Sequence, residues 1–505
     1  MTYNNPIVPG FRPDPSVCRV GKDFYLVNSS FEYFPAIPIY HSTDLVSWEQ
    51  IGHVVTRNSQ LSLVKGAPNC LNIYAPTIRY NNGVFYCIVT NVTNDGNGGN
   101  MIFTTTDINA EWSDPIKIPE CQGIDPSLFF DDDEKVYYSG TGDNGVYVAQ
   151  IDIKTGKLVS EIAYPWNGTG ANNPEGPHIY KINGYYYLML AEGGTELCHR
   201  VSIARSKAVF GPYEPCPFNP VLTNSCTPLP IKAVGHADVV DDENGNWWAV
   251  CLANRPISYP FRHSLGRETC LVPVVWENGW PLMGSNGHVL ESVTVEKAAG
   301  EKTKGSGYVP GSDLSDSFNS DKLHPSWNYI YNPQGNLVCP SENGLILNGN
   351  SFGTSDDEPK AILCRRQEHI SIICETELSV NPSAPDQEAG ISLYMNNRHH
   401  YEAAVTERNG KKCVLLRRQI GSRVAEENEL SISAEKITLR IKADSNRIEF
   451  FVSENGNDFA SIGAGEAAYI TTEVGGCFTG NMLALYSKNT QAVFTRFTYK
   501  CNSCS

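Results

Sequence analysis

The chain has 505 residues, with 39 Lys and Arg against 55 Asp and Glu and a formal net charge of −16. No cluster of Lys or Arg interrupts this acidity, which argues against nucleic acid and anionic membranes as partners, because phosphate binding requires concentrated positive charge. No run approaches the ~20 apolar residues of a membrane-spanning helix. The length predicts about two to four domains, fewer if one is a large β architecture.

The amino terminus and the cysteines bear on the compartment. No basic segment followed by an apolar core is present at the start, so we expect a cytoplasmic protein, or a secreted one if a leader has been removed. The 16 cysteines are scattered, and most lie in strand-like runs such as Val17-Cys18, which favours buried free thiols in a reducing compartment. A lone C-x-x-C motif, Cys501 to Cys504, has no second pair and is weak support for a zinc or redox site.

A phrase recurs five times within residues 1–300. Each copy starts with a polar or aromatic residue and a small residue or proline, continues with alternating apolar positions, and ends after a turn in an aromatic pair. The copies start at Asp14, Tyr74, Asp125, Glu175 and His236. Their spacing of roughly 50 to 60 residues is typical of propeller blades. Three of the turns carry the Asn-Gly dipeptide, a strong hairpin signal, at residues 82–83, 183–184 and 244–245.

The repeat predicts that three acidic residues meet. The inner strands of a propeller line one channel, so equivalent positions of the repeat converge in space. The leading residue is acidic in three copies, at Asp14, Asp125 and Glu175. Two carboxyl groups across a small pocket are the minimum apparatus for glycoside hydrolysis. A third negative charge helps to separate their pKa values, so we assign Glu175 as general acid, Asp14 as general base and Asp125 as the residue that orients Glu175 and raises its pKa.

Other residues are candidates for substrate contact. His236 leads the fifth copy and faces the same axis, where a satisfied core histidine is as plausible as a substrate contact, and no partner at metal-ligand spacing accompanies it. Arg267 is a candidate clamp for sugar hydroxyls, with a plain salt bridge to a carboxylate as the alternative. Phe31 and Tyr74 are candidates for stacking on a sugar ring.

The rest of the chain predicts a second all-β domain. Residues 301–312 are polar and rich in glycine, and we expect them to be a linker between a propeller over 1–300 and a domain over 313–505. Beyond the linker, strands that alternate cleanly are predicted at 370–380, 401–405, 413–417, 437–441, 448–452 and 482–486. Many alternating strands at short spacing favour a β-sandwich.

Several segments together resemble glycoside hydrolase family 43, in particular its β-xylosidase and α-L-arabinofuranosidase members. The resemblance covers essentially the whole chain and rests on seven segments, which begin at Asn5, Ser29, Tyr74, Gly123, Glu175, Glu192 and Leu265. It implies a five-bladed β-propeller followed by a concanavalin-like β-sandwich. It also implies a single-displacement, inverting mechanism, with Asp14 as base, Asp125 as pKa modulator and Glu175 as acid.

The resemblance extends to the substrate pocket. It implies that Phe31, Tyr74, Thr195, His236 and Arg267 line a pocket for the terminal pentose, although many relatives have Trp where this chain has Tyr74. In two-domain members an aromatic residue of the sandwich closes that pocket, and Phe478 matches it. Some members bind calcium near the histidine that matches His236, which leaves calcium open here without making any cofactor a requirement.

We therefore expect an exo-acting glycosidase that removes terminal xylose or arabinofuranose from hemicellulose-derived oligosaccharides. A non-catalytic carbohydrate-binding propeller is the alternative from another class. An endo-acting arabinanase of the same family is a further alternative, disfavoured because an added sandwich tends to block the open groove that such an enzyme needs. The expected partner is an oligosaccharide substrate, and assembly into a homo-oligomer is left open.

Overall fold

Strands form almost all the regular structure of the chain. The structure, a computed structural model, describes residues 1–66, 70–305, 307–476 and 478–502. Within these residues the helical segments are one 3₁₀ turn, Ala467–Ile470, and one short helix, α1 (Thr472–Gly475). The all-β class predicted from the sequence is thereby confirmed.

The amino-terminal half contains five antiparallel sheets in chain order. Three short strands lie outside them: β1 pairs with β24, and β4 pairs with a strand of the carboxyl-terminal half. The strands are β1 (Thr2–Asn4), β2 (Ser16–Val20), β3 (Asp23–Val27), β4 (Tyr33–Phe34), β5 (Ala36–Ser42), β6 (Glu49–Val55), β7 (Asn72–Ile73), β8 (Thr77–Asn81), β9 (Val84–Val92), β10 (Gly99–Thr105), β11 (Ile116–Lys117), β12 (Ile124–Phe130), β13 (Val136–Gly142), β14 (Gly145–Asp152), β15 (Lys157–Leu158), β16 (Glu175–Ile182), β17 (Tyr185–Glu192), β18 (Arg200–Ser206), β19 (Glu214–Pro215), β20 (Lys232–Asp241), β21 (Trp247–Asn254), β22 (Glu268–Glu277), β23 (Trp280–Met283) and β24 (Ser292–Thr294).

The five sheets are the blades of a propeller, which we number 1 to 5 along the chain. Blade 1 is β2-β3-β5-β6, blade 2 contains β7 to β11, and blades 3, 4 and 5 are β12 to β15, β16 to β19 and β20 to β23. The innermost strands touch in a closed ring, β2 with β8, β8 with β12, β12 with β16, β16 with β20, and β20 with β2. The five copies of the repeat therefore correspond to five blades around one axis.

The inner strands are irregular where they begin. The register of β12, β16 and β20 against the second strand of the blade shifts near the start of each strand. Asp14, Asp125 and His236, which lead three copies of the repeat, have φ values of 52°, 56° and 47°. A non-glycine residue in this left-handed region costs about 1–3 kcal/mol and persists only where its surroundings fix it. Bulges of this kind redirect side chains.

The carboxyl-terminal half is a sandwich of two sheets. Its strands are β25 (Leu314–Asp316), β26 (Trp327–Ile330), β27 (Val338–Ser341), β28 (Gly344–Asn348), β29 (Ala361–Arg366), β30 (Ile372–Val380), β31 (Glu388–Asn396), β32 (His399–Arg408), β33 (Lys411–Ile420), β34 (Arg423–Ser431), β35 (Lys436–Ala443), β36 (Arg447–Ser453), β37 (Ala460–Glu466), β38 (Met482–Lys488) and β39 (Gln491–Cys501). One sheet has the order β27-β28-β39-β30-β35-β36-β37, with β25 also on β39, and the other β34-β33-β32-β31-β38-β29-β26-β4. Their inner faces share one apolar core, which includes Leu345, Ile391, Leu439 and Phe494.

The propeller and the sandwich share a sheet edge and an apolar cluster. Strand β4, which lies between β3 and β5 of blade 1 in the sequence, pairs with β26 of the sandwich. Phe34 lies opposite Tyr329, and Tyr33 lies opposite Ile330. Phe34 also belongs to a buried cluster that contains Ile362 of the sandwich. The two halves are therefore joined by hydrogen bonds and by hydrophobic packing.

Described residues of the segment predicted as a linker lie along blade 1. The Thr303 hydroxyl donates a 2.7 Å hydrogen bond to the Ser47 carbonyl, and the Gly305 N–H donates one of 2.7 Å to Glu49. Tyr308 accepts a backbone hydrogen bond of 2.7 Å from Gln50. The glycine-rich composition therefore marks a bound segment, and the domain boundaries 1–300, 301–312 and 313–505 stay a prediction.

Two further expectations concern membranes and cysteines. No helix within the described ranges is long and apolar enough to cross a membrane. Buried cysteines such as Cys18, Cys87 and Cys374 are free thiols, as expected. Cys70, however, is disulfide-bonded, so the expectation of free thiols is wrong at that position. Cys504 of the C-x-x-C motif lies outside the described residues.

Candidate active site

One cavity of about 360 Å³ lies where the inner strands of the propeller begin. Residues from all five blades and from the sandwich line it. All nine residues that the sequence singled out are among them: Asp14, Phe31, Tyr74, Asp125, Glu175, Thr195, His236, Arg267 and Phe478. The convergence expected from the repeat is therefore found in the structure.

The glycine at position 176 allows blade 4 to place Glu175 in the cavity. Gly176 has φ +58°, and a Cβ there would lie 3.1 Å from the ring of His236. Its N–H donates a 3.0 Å hydrogen bond to Oδ2 of Asp125. The residue after Glu175 thus has to be small, because the adjacent blades' site residues pack directly against its backbone.

Asp14 is buried and held by two donors. Its Oδ1 accepts a hydrogen bond of 2.9 Å from Nη1 of Arg267, and its Oδ2 accepts one of 2.5 Å from the Ser29 hydroxyl. His236 lies 3.9 Å from the same Oδ1. Burial by itself would raise the pKa of Asp14, but Arg267, His236 and Ser29 outweigh it and lower that pKa. Asp14 is therefore ionised at neutral pH.

The other two carboxyl groups are shifted in the opposite direction. Burial is the largest cause that raises the pKa of Asp125 to about 7, and the charges of Glu175 and Asp14 add to it although His236 opposes them. Burial also raises the pKa of Glu175 to about 7, with a further contribution from Asp14 and opposition from Arg267. The cavity thus combines one carboxylate with two carboxyl groups that retain protons near neutrality, a separation typical of acid and base pairs in catalysis.

Three aromatic rings form the apolar wall. Phe31 stacks with Phe478 at a centroid distance of 5.6 Å, and Tyr74 contacts both rings, at 5.3 Å from Phe31 and 5.8 Å from Phe478. The guanidinium of Arg267 lies over Phe31 and Phe478, 5.9 and 5.4 Å from the ring centroids. Arg267 therefore forms a salt bridge with a carboxylate, which was the alternative that the sequence analysis gave for this residue. It also packs against the apolar wall.

The sandwich loop that carries Phe478 docks on the loop that carries Arg267. The Asn481 N–H donates a 2.8 Å hydrogen bond to the Ser264 carbonyl, and a Cβ at Gly480 would lie 2.3 Å from the Leu265 carbonyl oxygen. A Cβ at Gly266 would in turn approach the Gly480 nitrogen to 2.9 Å. Two glycines facing each other thus allow a backbone contact that brings Phe478 to the cavity.

Some lining residues were not singled out from the sequence. Asn172 and Asn173 precede Glu175, and Glu196 follows Thr195, whose hydroxyl accepts a 3.3 Å hydrogen bond from Arg267. Asn173 has φ 50°, a conformation that asparagine tolerates. Their nearness in sequence to Glu175 and Thr195 was the only available signal, because residues 172 and 173 precede the repeated phrase and Glu196 lies far beyond it.

The described residues do not fit a calcium site at His236. No group of three or more His, Cys, Asp and Glu side chains within them is arranged to hold a metal ion. Farther along the inner strands a cationic side chain, Arg79, neutralises the buried carboxylate of Asp238 at 2.7 Å. Its Nη2 lies 3.1 Å from Nδ1 of His178. Burial lowers the pKa of His178 to about 3, so the imidazole is neutral. The side chains described around His236 therefore offer calcium no cluster of carboxylate ligands.

The chain is similar to known proteins in both of its halves. Residues 3–281 match the family model "Glycosyl hydrolases family 43". The chain belongs to glycoside hydrolase family 43. Residues 315–500 match a second model, the "Beta xylosidase C-terminal Concanavalin A-like domain". The family and fold predicted from the sequence are thus confirmed, and the chain is an enzyme that hydrolyses glycosidic bonds.

Relatives of this family 43 enzyme resemble it over nearly the full chain. It is 36% identical to the non-reducing end α-L-arabinofuranosidase BoGH43B of Bacteroides ovatus, over 99% of this chain and 95% of that protein. It is 37% identical to a xylosidase/arabinosidase of Butyrivibrio fibrisolvens, over 96% of each. A solved structure, "Bacteroides ovatus Xyloglucan PUL GH43B", superposes with a TM-score of 0.94 at 35% identity and covers 99% of this chain and 100% of that one.

Proposed function

We propose that this family 43 enzyme is an exo-acting, inverting glycosidase that releases terminal β-D-xylose, α-L-arabinofuranose or both from short oligosaccharides. One observation carries the proposal. A carboxylate of lowered pKa, Asp14, lines the same small cavity as Glu175, whose pKa is raised to about 7. An ionised base and a protonated acid near neutral pH are the two groups that single-displacement hydrolysis requires.

In the proposed reaction Asp14 takes a proton from a water molecule while the water oxygen bonds to the anomeric carbon. The bond from that carbon to the leaving oxygen breaks, and Glu175 donates its proton to this oxygen. The products are the free pentose, with inverted anomeric configuration, and the shortened alcohol. Asp14 ends protonated and Glu175 ionised, so a proton must pass through solvent from Asp14 back to Glu175 before the next turnover.

Asp125 acts through Glu175 in this proposal. The charge of Glu175 is among the causes that raise the pKa of Asp125, so the two carboxyl groups interact and titrate as a pair. Asp125 also accepts a hydrogen bond from the N–H of Gly176, the residue that follows Glu175. It is therefore placed to orient the acid, whereas the raised pKa of Glu175 itself comes from burial and from the charge of Asp14.

The shape of the cavity supports removal of a terminal sugar. Phe478 and its loop cover one side, and the aromatic wall offers an apolar face for the ring of a single pentose. Arg267, Thr195 and His236 supply polar contacts for the hydroxyl groups. An endo-acting enzyme would need a groove open at both ends, which the docked sandwich loop disfavours.

The names of the relatives narrow the substrate to two sugars. One relative is named for non-reducing-end α-L-arabinofuranose, and another for xylose and arabinose together. The two pentoses place similar hydroxyl groups around the scissile carbon, which supports dual activity. A cytoplasmic location, or secretion after removal of a leader, stays a prediction, and assembly into a homo-oligomer is left open as before.

The test is incubation of the purified enzyme with xylobiose, with arabinosylated xylo-oligosaccharides and with arabinosylated xyloglucan oligosaccharides. We expect free pentose from at least one of them, and NMR of the first turnovers should show the inverted anomer. Retention of configuration would contradict Asp14 as base. Binding of oligosaccharides without pentose release would instead favour the non-catalytic alternative, and internal cleavage of linear arabinan would favour the endo-acting one.

A further inference from the structure

A buried carboxylate of the sandwich, Glu368, pairs with Arg12 of the propeller. Glu368 is fully buried, and its Oε1 accepts a hydrogen bond of 2.7 Å from Nη2 of Arg12, a residue that is itself 1% exposed. Arg12 stands two residues before Asp14 in the segment that leads into β2. A sandwich side chain thus holds the segment that carries one of the three acids.

The segment around Arg12 is fixed from several directions. Its backbone N–H donates a 2.9 Å hydrogen bond to the Arg267 carbonyl, and Nε donates one of 2.8 Å to the Tyr40 hydroxyl. A second sandwich residue, Arg366, donates a 2.7 Å hydrogen bond from Nε to the Phe11 carbonyl. Asp14 lies just beyond, at φ 52°. A strained position of this kind requires rigid neighbours, and two of them belong to the sandwich.

The approach between the two halves is too close for another side chain at residue 10. A Cβ on Gly10 would lie 2.7 Å from the Gln367 carbonyl oxygen and 3.1 Å from Cγ of Glu368. Gly10 also has φ +80°, which favours glycine. The backbone of the segment therefore packs directly against the strand end that carries Glu368.

Glu368 is itself held rigidly. The Tyr308 hydroxyl donates to its carboxylate, 2.6 and 2.5 Å from the two oxygens, and Nη2 of Arg365 and the Gly311 N–H each donate at 3.1 Å. Burial by itself would raise the pKa of Glu368, but Arg12 and Arg365 lower it. The carboxylate is thus ionised, and four donors, including Arg12, determine its position.

We propose that Glu368 is a positioning residue for the general base, acting through Arg12 to hold Asp14 against the attacking water. The sandwich then has a second task besides closing the cavity with Phe478. The inference rests on the proposed role of Asp14. It concerns the attack of water and leaves proton donation by Glu175 unaffected.

Azide provides a test that separates these steps. Azide attacks the anomeric carbon as an anion, the bond to the leaving oxygen breaks, and Glu175 protonates that oxygen, so the pentosyl azide forms without help from a base. The measured quantity is the ratio of pentosyl azide to free pentose, with an activated aryl pentoside as substrate. Asp14→Ala sets the upper limit of this ratio. For Glu368→Gln we expect a ratio about three- to tenfold above that of the unsubstituted enzyme, with little change in KM.

The sandwich offers a matched control. Glu402 is equally buried and also pairs with an arginine, Arg417, but its described contacts lie within the sandwich. Glu402→Gln should lower thermal stability as Glu368→Gln does, and leave the azide ratio unchanged. Loss of fold or of folded fraction alone cannot change that ratio, because both products come from the folded enzyme.

The outcomes discriminate between the two proposals. If Asp14→Ala leaves the azide ratio unchanged, the role assigned to Asp14 is wrong. If Asp14→Ala raises the ratio and Glu368→Gln does not, only the positioning role of Glu368 is refuted. Should Glu368→Gln fail to fold, Tyr308→Phe decides, because it removes a donor to Glu368 and keeps the charge. That variant should raise the ratio about twofold, and no rise would overturn the inference.

Discussion

The two walls of the cavity differ in chemistry and in how the chain supports them. The propeller wall holds Asp14, Asp125 and Glu175 at the irregular starts of inner strands. The sandwich wall is the ring of Phe478, the one member of the apolar wall that the sandwich supplies. Its loop is attached to the loop of Arg267 by backbone hydrogen bonds and by a contact between two glycines. Buried charges on the first wall suit proton transfer, and the second excludes water, which strengthens electrostatic interactions inside. A change on the first wall should therefore impair bond cleavage, and a change on the second should impair binding.

Glu175→Ala should have the largest effect. With natural disaccharides, whose leaving groups need protonation, we expect kcat to fall by about 10²- to 10⁴-fold. Activated aryl pentosides need no protonation and should be affected far less. Steady-state kinetics with both substrate types measures the difference. An equal loss with both would show that Glu175 is not the acid.

Phe478→Ala tests the sandwich wall. Loss of the ring from the aromatic cluster should lower kcat/KM by about 10- to 100-fold, mainly through KM, because stacking and water exclusion are lost while the three acids remain. Phe459→Ala is the matched control, since Phe459 packs on Arg440 within the sandwich and does not line the cavity. If Phe478→Ala changed only kcat, the ring would act on the chemical step and the division between the walls would fail.

The pH dependence follows from the shifted pKa values. Glu175 donates a proton only while protonated, so kcat/KM should fall about tenfold per pH unit above its pKa of about 7. Asp14 must be ionised, and because its pKa is lowered, the acidic limb should lie below the ordinary range of an aspartate. A profile from about pH 4 to 9 on a substrate that needs protonation measures the alkaline limb, and no acidic limb should appear within that range. An alkaline limb near 4.5 would contradict the raised pKa of Glu175.

Asp125→Asn should separate activity from stability. The pKa of Asp125 is raised to about 7 in the folded chain, so its contribution to stability is present below the unfolded pKa and is lost as pH rises through 7. Asparagine does not titrate, so the free energy of unfolding of the variant, relative to that of the unsubstituted enzyme, should be about 2 kcal/mol higher at pH 8 than at pH 5. The variant should lose activity at both pH values. Denaturant unfolding at both pH values measures the difference in stability. A gain of the same size at both pH values would show that Asp125 does not titrate in that range.

Much of the propeller wall could be predicted because the repeat maps sequence positions onto equivalent places in space. Asp14, Asp125 and Glu175 lead copies of one phrase, and the phrase corresponds to one inner strand in each blade. Phe478 could not be found in this way, since it belongs to no repeat, and only the family resemblance pointed to it. The roles of all four residues remain proposals until the experiments are done.

The contacts between the propeller and the sandwich could not be predicted from the sequence. Arg12 and Glu368 are 356 residues apart, and neither belongs to a motif that pairs them. Glu368 is buried together with two cations, Arg365 of the same sandwich and Arg12 of the propeller. Composition likewise predicted a linker at 301–312, but it gave no sign that Thr303 and Gly305 form hydrogen bonds with blade 1. Long-range pairing of this kind depends on the docking of complete domains.

Strand β4 has a consequence for engineering of the two-domain architecture. Because Tyr33 and Phe34 complete a sheet of the sandwich, excising residues 313–505 would leave that dipeptide without its ladder, and the isolated sandwich would present β26 as a bare edge prone to self-association. A chimera that grafts a foreign sandwich onto this propeller would have to preserve that strand pairing. The unit of exchange in such designs is thus defined by sheet membership and not by the position of a linker.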